Sequence, residues 1–171
     1  KKPEDTGWRS NAGSIADMMQ GVKCESGKTQ IVDSLSLYTN DRKKANIVVL
    51  IGDCFEEEKE DAYEKAREMK KQGTRIFVFH ENRSDLLGDS GTSAEEQRYI
   101  EQMQHAEKVF RTLAEITGGT FQRFDRKSSL EGLFGAAKSF ALFGAEGLKK
   151  LAASGNQYAL AMAKDMKLLN G

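Results

Sequence analysis

Asp53 stands directly behind the apolar run Ile47-Val48-Val49-Leu50-Ile51 and Gly52. A carboxylate at the end of a buried strand is costly unless water, a hydrogen-bond donor or a cation satisfies it. The position therefore offers a cation ligand, or a cap for a helix beginning near Glu56. The second candidate is Thr29, in Ser26-Gly27-Lys28-Thr29-Gln30-Ile31. Gly-Lys-Thr has the look of a phosphate-binding loop, but Gly21 lies one residue too far ahead of Gly27 for that motif. Val22-Lys23-Cys24 is also a poor strand to precede it. The plainer use of Thr29 is as the N-cap of the helix that follows.

Other polar side chains offer less. His80 closes an apolar run and is close enough to the same rim to meet a ligand. A single histidine without a spaced partner reads first as a hydrogen-bonded rim residue, and His105 falls on the polar side of a helix. Cys24 and Cys54 lie near Thr29 and Asp53, yet they form no Cys-x-x-Cys or Cys/His spacing, so both read as core thiols. Glu56-Glu57-Glu58 opens a helix, where carboxylates offset the positive dipole end and form a solvated face. Lys43-Lys44 and Lys149-Lys150 lack the aromatic platform of a nucleic-acid surface.

These residues need a scaffold, and the hydrophobic pattern supplies one. Ile47 to Ile51 is continuous and β-branched, which predicts a strand buried on both faces. From Glu56 to Gln72, apolar Ala62, Tyr63, Ala66 and Met69 recur at helical spacing and Gly73 ends the segment. Arg75 to His80 is a second strand, which makes a right-handed βαβ unit and a parallel sheet. Glu81 to Ser93 is an exposed loop. Ala94 to Thr117 carries one apolar stripe through Ala106, Val109, Phe110 and Leu113, and Gly118-Gly119 stops it. Thr120 to Phe124 alternates as a third strand, and Ser128 or Ser129 caps a helix starting near Leu130. Ahead of the first strand, Ser14 to Gly21 and Thr29 to Tyr38 read as helices. Residues Ala136 to Gly171 read as two or three short helices broken at Gly144, Gly147 and Gly155. The expected fold is α/β, a Rossmann-like, mostly parallel sheet with flanking helices over residues 1–135, with a helical extension over 136–171.

The order of these pieces resembles a von Willebrand factor A-like domain. Gly27-Lys28-Thr29-Gln30-Ile31 opens a helix, Ile47 to Ile51 ends in Gly52-Asp53-Cys54, and Ile76 to His80 follows. Ala114-Glu115-Ile116-Thr117-Gly118-Gly119-Thr120-Phe121 then precedes the last strand. From Trp8 to about Gly155 the chain looks like bacterial, cytoplasmic members of the group. The resemblance implies a metal-ion-dependent adhesion site atop the sheet. Thr29 and Asp53 would contact magnesium there, and an acidic residue of a protein partner would complete the octahedron. That site also takes ligands from an Asp-x-Ser-x-Ser loop. Asp33-Ser34-Leu35-Ser36 and Asp89-Ser90-Gly91-Thr92-Ser93 both depart from the pattern. Only 28 residues precede Thr29, too few for the earlier strands of such a domain. The expectation is an N-terminally incomplete domain that self-associates or takes its missing strands from elsewhere.

Composition sets the outer limits. With 171 residues, the chain is long enough to bury a core without disulfides or a structural metal. Twenty-six basic and 26 acidic side chains leave no net attraction for nucleic acid or anionic lipid. No apolar run approaches the roughly 20 residues of a membrane helix. Lys1 to Arg9 have no signal-like apolar segment, and two cysteines suit a reducing, cytoplasmic setting. The expected function is a non-enzymatic protein-binding module. The alternative is a metal-independent structural or assembly domain using the C-terminal helices as its partner surface. A nucleotide enzyme would need a P-loop, nucleophile elbow or acid–base pair that the sequence does not offer.

Overall fold

The computed structural model describes residues 29–40, 45–81, 93–124 and 128–169. The expected helix at Ser14 to Gly21, Cys24 and nearly all of the Glu81–Ser93 loop lie outside them. In chain order the elements are α1 (Ile31–Asn40), β1 (Ile47–Gly52), α2 (Lys59–Lys71), β2 (Arg75–Glu81), α3 (Ala94–Thr117), β3 (Thr120–Phe124), α4 (Leu130–Ala153) and α5 (Gln157–Asp165).

The three strands form an open parallel sheet in the order β1-β2-β3. Parallel neighbours need long crossovers, and α2 and α3 supply them. Both cover one face of the sheet with α1, burying Leu35, Met69, Phe110 and Leu113 against Ile76 and Val78. Helices α4 and α5 cover the other face, where Leu133, Leu148 and Met162 pack on Phe77 and Phe79. This is the α/β, Rossmann-like layering expected, with C-terminal helices added.

The central strand β2 is buried at five successive positions, whereas β1 is half-buried except at Ile51, which is 44% exposed. A strand covered on both faces was the expectation for β1. It is less covered because it forms an edge, pairing among the described residues with β2 alone. At the opposite edge Asp165, at the end of α5, accepts the Phe121 N–H at 2.9 Å and the Thr120 hydroxyl at 2.6 Å.

Thr117-Gly118-Gly119 joins α3 to β3 and is tied to β2 throughout. The Thr117 hydroxyl accepts the Ile76 N–H at 2.9 Å. Gly118 takes φ 68° as the left-handed cap of α3, where glycine is favoured. Gly119 is needed for space instead, because a Cβ there would stand 2.0 Å from the Ile76 carbonyl oxygen.

Ser93 begins α3 with a capping box to Glu96, and Ser129 begins α4 by accepting the Gly132 N–H at 3.0 Å. At Gly144 (φ 63°, ψ −153°) α4 bends sharply. Gly147 is not a break, contrary to expectation: a Cβ on it would meet the Ser139 carbonyl oxygen at 2.9 Å, so it lets the two arms of α4 approach. Gly155 (φ 91°) separates α4 from α5. Among the described residues, no helix is long and apolar enough to cross a membrane.

Candidate site at the carboxyl ends of the strands

Parallel sheets bind ligands beyond the carboxyl ends of their strands, where loops and helix N-termini converge. Here that region is built by the loop from Asp53 to Glu58, which leaves β1 and leads into α2. Phe55 is its anchor. Its ring is buried and packs edge-on against Phe110 at 6.3 Å between centroids. Inserting one aromatic from a polar loop leaves its neighbours Cys54 and Glu56 at the surface side of the chain.

His80 holds the start of the loop. It sits opposite Gly52 in the β1–β2 register, is 1% exposed, and its Nε2 lies 3.2 Å from the Asp53 carbonyl oxygen. A carbonyl only accepts, so the proton is on Nε2. Nδ1 is buried without a hydrogen-bond partner among the described residues. The ring lies between Phe110 and Phe121. Burial pushes its pKa below the ordinary 6.5, despite the Asp53 hydrogen bond and the charge of Glu107. The imidazole is a neutral post that fixes the loop, in keeping with the rim-residue expectation.

Thr29 and Asp53 meet at one sulfur. The Thr29 hydroxyl is 3.2 Å from Cys54 Sγ, and the Asp53 side chain hydrogen-bonds the same thiol. Cys54 is thus a half-buried rim residue rather than the core thiol expected. Its pKa is raised, first by burial, with the Asp53 and Glu56 charges adding and the Thr29 hydrogen bond opposing. The thiol is therefore held protonated.

The glutamates correct a second expectation. Glu56 and Glu57 do not form a solvated face on their own helix, because they turn to the amino end of α1. Glu56 Oε2 accepts the Thr29 N–H at 3.1 Å and lies 3.4 Å from the Thr29 hydroxyl. Glu57 accepts the N–H groups of Ile31 and Val32, the latter at 3.0 Å to Oε1. These are the donors that a helix leaves unpaired in its first turn, and a carboxylate there also meets the positive end of the dipole. Thr29 precedes α1 by two residues, so Glu57 fills the capping role expected of Thr29. Nor does Asp53 cap α2, whose N-cap position is Glu58, without a side-chain cap bond.

The sequence pointed to Thr29, Asp53 and His80, and missed Cys54, Glu56 and Glu57 as participants. The one signal for them was an aromatic residue, Phe55, inside an otherwise polar loop. Asp33-Ser34-Leu35-Ser36 lies within α1, where Ser34 and Ser36 donate to the carbonyls of Gln30 and Val32, 2.7 and 2.8 Å away. It is a helical turn and not a ligand loop.

The donors on this rim include the Thr29 hydroxyl and the carboxylates of Asp53 and Glu56, hard oxygens of the kind magnesium takes. Among the described residues, no three His, Cys, Asp or Glu side chains come together as a metal-holding group. A cation here would rest on Thr29 and Asp53, with water or other groups completing its shell. No protein-family model, curated protein or solved structure matches the chain.

Proposed function

We propose that this chain is a non-enzymatic protein-binding module, similar to von Willebrand factor A-like domains of the bacterial cytoplasm, that recognises its partner at the carboxyl end of its sheet. The observation that carries this is the convergence of Thr29 and Asp53 on Cys54, where two separate loops meet beyond a parallel strand. Thr29 and Asp53 would hold magnesium, which when bound offers an open coordination position to an acidic side chain of the partner. His80 fixes the Asp53 backbone, and Glu57 fixes the helix that follows Thr29.

Magnesium alone tests the metal, titrated calorimetrically into the full chain. Saturable uptake is expected, lost in Asp53→Asn and weakened in Thr29→Ala. No saturable heat in the folded chain would remove the metal from this reading.

One observation favours a second, metal-independent reading. Leu142 and Phe143, beside the bend in α4, are 61% and 69% exposed. Such side chains suit an assembly surface on the C-terminal helices. On that reading partner binding is insensitive to chelator and is lost in Leu142→Glu and Phe143→Glu.

A further inference from the structure

We infer that the cleft between the end of α3 and the end of α5 binds a small zwitterion, an α-amino acid with an apolar side chain. The cleft has a volume of about 500 Å³, large enough for a small molecule. Every residue lining it is a described one, and Thr29, Asp53 and Cys54 are not among them, so the inference stands apart from the metal reading. Its floor is apolar, made by the buried Ala114 and Phe121 and by Met166.

Two walls each carry one charge of either sign. On α3, Arg111 and Glu115 stand one turn apart; at the end of α5, Asp165 and Lys167 line the other side. Arg111 is already oriented: its Nε donates to Glu107 at 2.8 Å, and its guanidinium carbon lies 4.1 Å from the centre of the Phe121 ring. Held by an ion pair and a cation–π contact, it keeps its two Nη groups for another acceptor. Asp165 is fixed as well, because the Thr120 hydroxyl and the Phe121 N–H both donate to Oδ2. Its Oδ1 meets no donor among the described residues.

Lys167 is the least expected member. The Lys167 N–H donates to the Lys164 carbonyl at 2.9 Å and the Leu168 N–H to the Ala163 carbonyl at 2.8 Å, the paired bonds that end a helix on a left-handed residue. Glycine is the usual occupant, as at Gly73, Gly118 and Gly155, yet here lysine takes φ 54°. A side chain in that region costs free energy. The cost places an ammonium at the cleft, where neither Lys167 nor Glu115 has an ion-pair partner among the described residues.

The mixture of charges selects the ligand. A simple anion would meet Glu115 and Asp165 along with the two cations, and a simple cation would meet the reverse. An amino acid satisfies both pairs: its carboxylate takes the Arg111 fork and Lys167, and its ammonium takes Glu115 and Asp165 Oδ1. The apolar floor then receives its side chain.

The test is calorimetric titration of leucine, methionine and phenylalanine into the full chain, repeated with the amide of each, which lacks the carboxylate, and the deaminated acid of each, which lacks the ammonium. Saturable uptake of at least one amino acid is expected, weakened about tenfold or more in its amide and in its deaminated acid. The amide resonances of Gly118 and Gly119 should shift on binding. Lys167→Gly suits the backbone better than lysine does, so it keeps the fold and weakens binding about tenfold, as does Arg111→Met. No saturable uptake of any of the amino acids would overturn the inference, as would an amide or a deaminated acid that binds as tightly as its parent. So would binding that leaves Gly118 and Gly119 unmoved, or that the folded Lys167→Gly chain retains in full. If Arg111→Met fails to fold, Lys167→Gly decides alone.

Discussion

Glu107 is a carboxylate gripped by two guanidiniums. Arg123 reaches it from β3 with contacts of 3.0 and 2.7 Å, and Arg111 from the next turn of α3 at 2.8 Å. Burial works against its ionisation, but the hydrogen bonds from Arg111 and Arg123 outweigh burial and hold its pKa below the ordinary 4.5. The folded state thus binds this proton less readily than the unfolded chain does. Its contribution to stability is complete above about pH 4.5 and is lost as pH falls through the lower folded value. Urea midpoints measured from neutral pH downward should drop less steeply below pH 4.5 for Glu107→Gln than for the parent, and coincident profiles would remove Glu107 from the acid response. The site residues differ in how visible they were. Asp53 and His80 were legible because a polar residue ending an apolar run must face a rim. Cys54, Glu56 and Glu57 were not, because their directions depend on Phe55 entering the core, a tertiary event that no local periodicity encodes.

Elements were legible wherever the apolar spacing was long and its end was marked. Helix α3 runs from Ala94 to Thr117 and β3 from Thr120 to Phe124, as their patterns indicate. Thr117-Gly118-Gly119 has a physical reason in each residue: a hydrogen bond, a left-handed cap and a close backbone approach. It is a signature of how a helix is docked to a parallel strand. The start of α1 was not legible, because its cap comes from a loop more than twenty residues away in sequence. Removing that cap should cost as much as losing a local one, about 0.5–2 kcal/mol for Glu57→Ala, with Glu57→Gln falling between. Faster hydrogen exchange at Ile31 and Val32 is the expected signature. Unchanged exchange there would show that α1 is held by its packing alone.

At the scale of the whole molecule, the sheet is a partition between two cores. The α1–α2–α3 side is assembled around the crossovers, and the other side depends on α4 and α5. Asp165 joins the second side to the first through Thr120, which is fully buried, and Phe121. Asp165→Ala leaves both donors unpaired and should cost about 1–3 kcal/mol, with Asp165→Asn milder. Chemical denaturation measures the loss, and an unchanged midpoint would mean that water replaces the carboxylate freely. The same bond has a consequence for a chain made from its amino end. Asp165 follows Thr120 by 45 residues, so at 5–20 residues per second β3 has been made for about 2 to 9 s before the carboxylate that accepts its Phe121 N–H is synthesised. Throughout that interval Phe77 and Phe79 lack their full cover from α4 and α5. Docking of α5 is then the event that gives the Phe121 N–H its acceptor and ties the second core to the sheet.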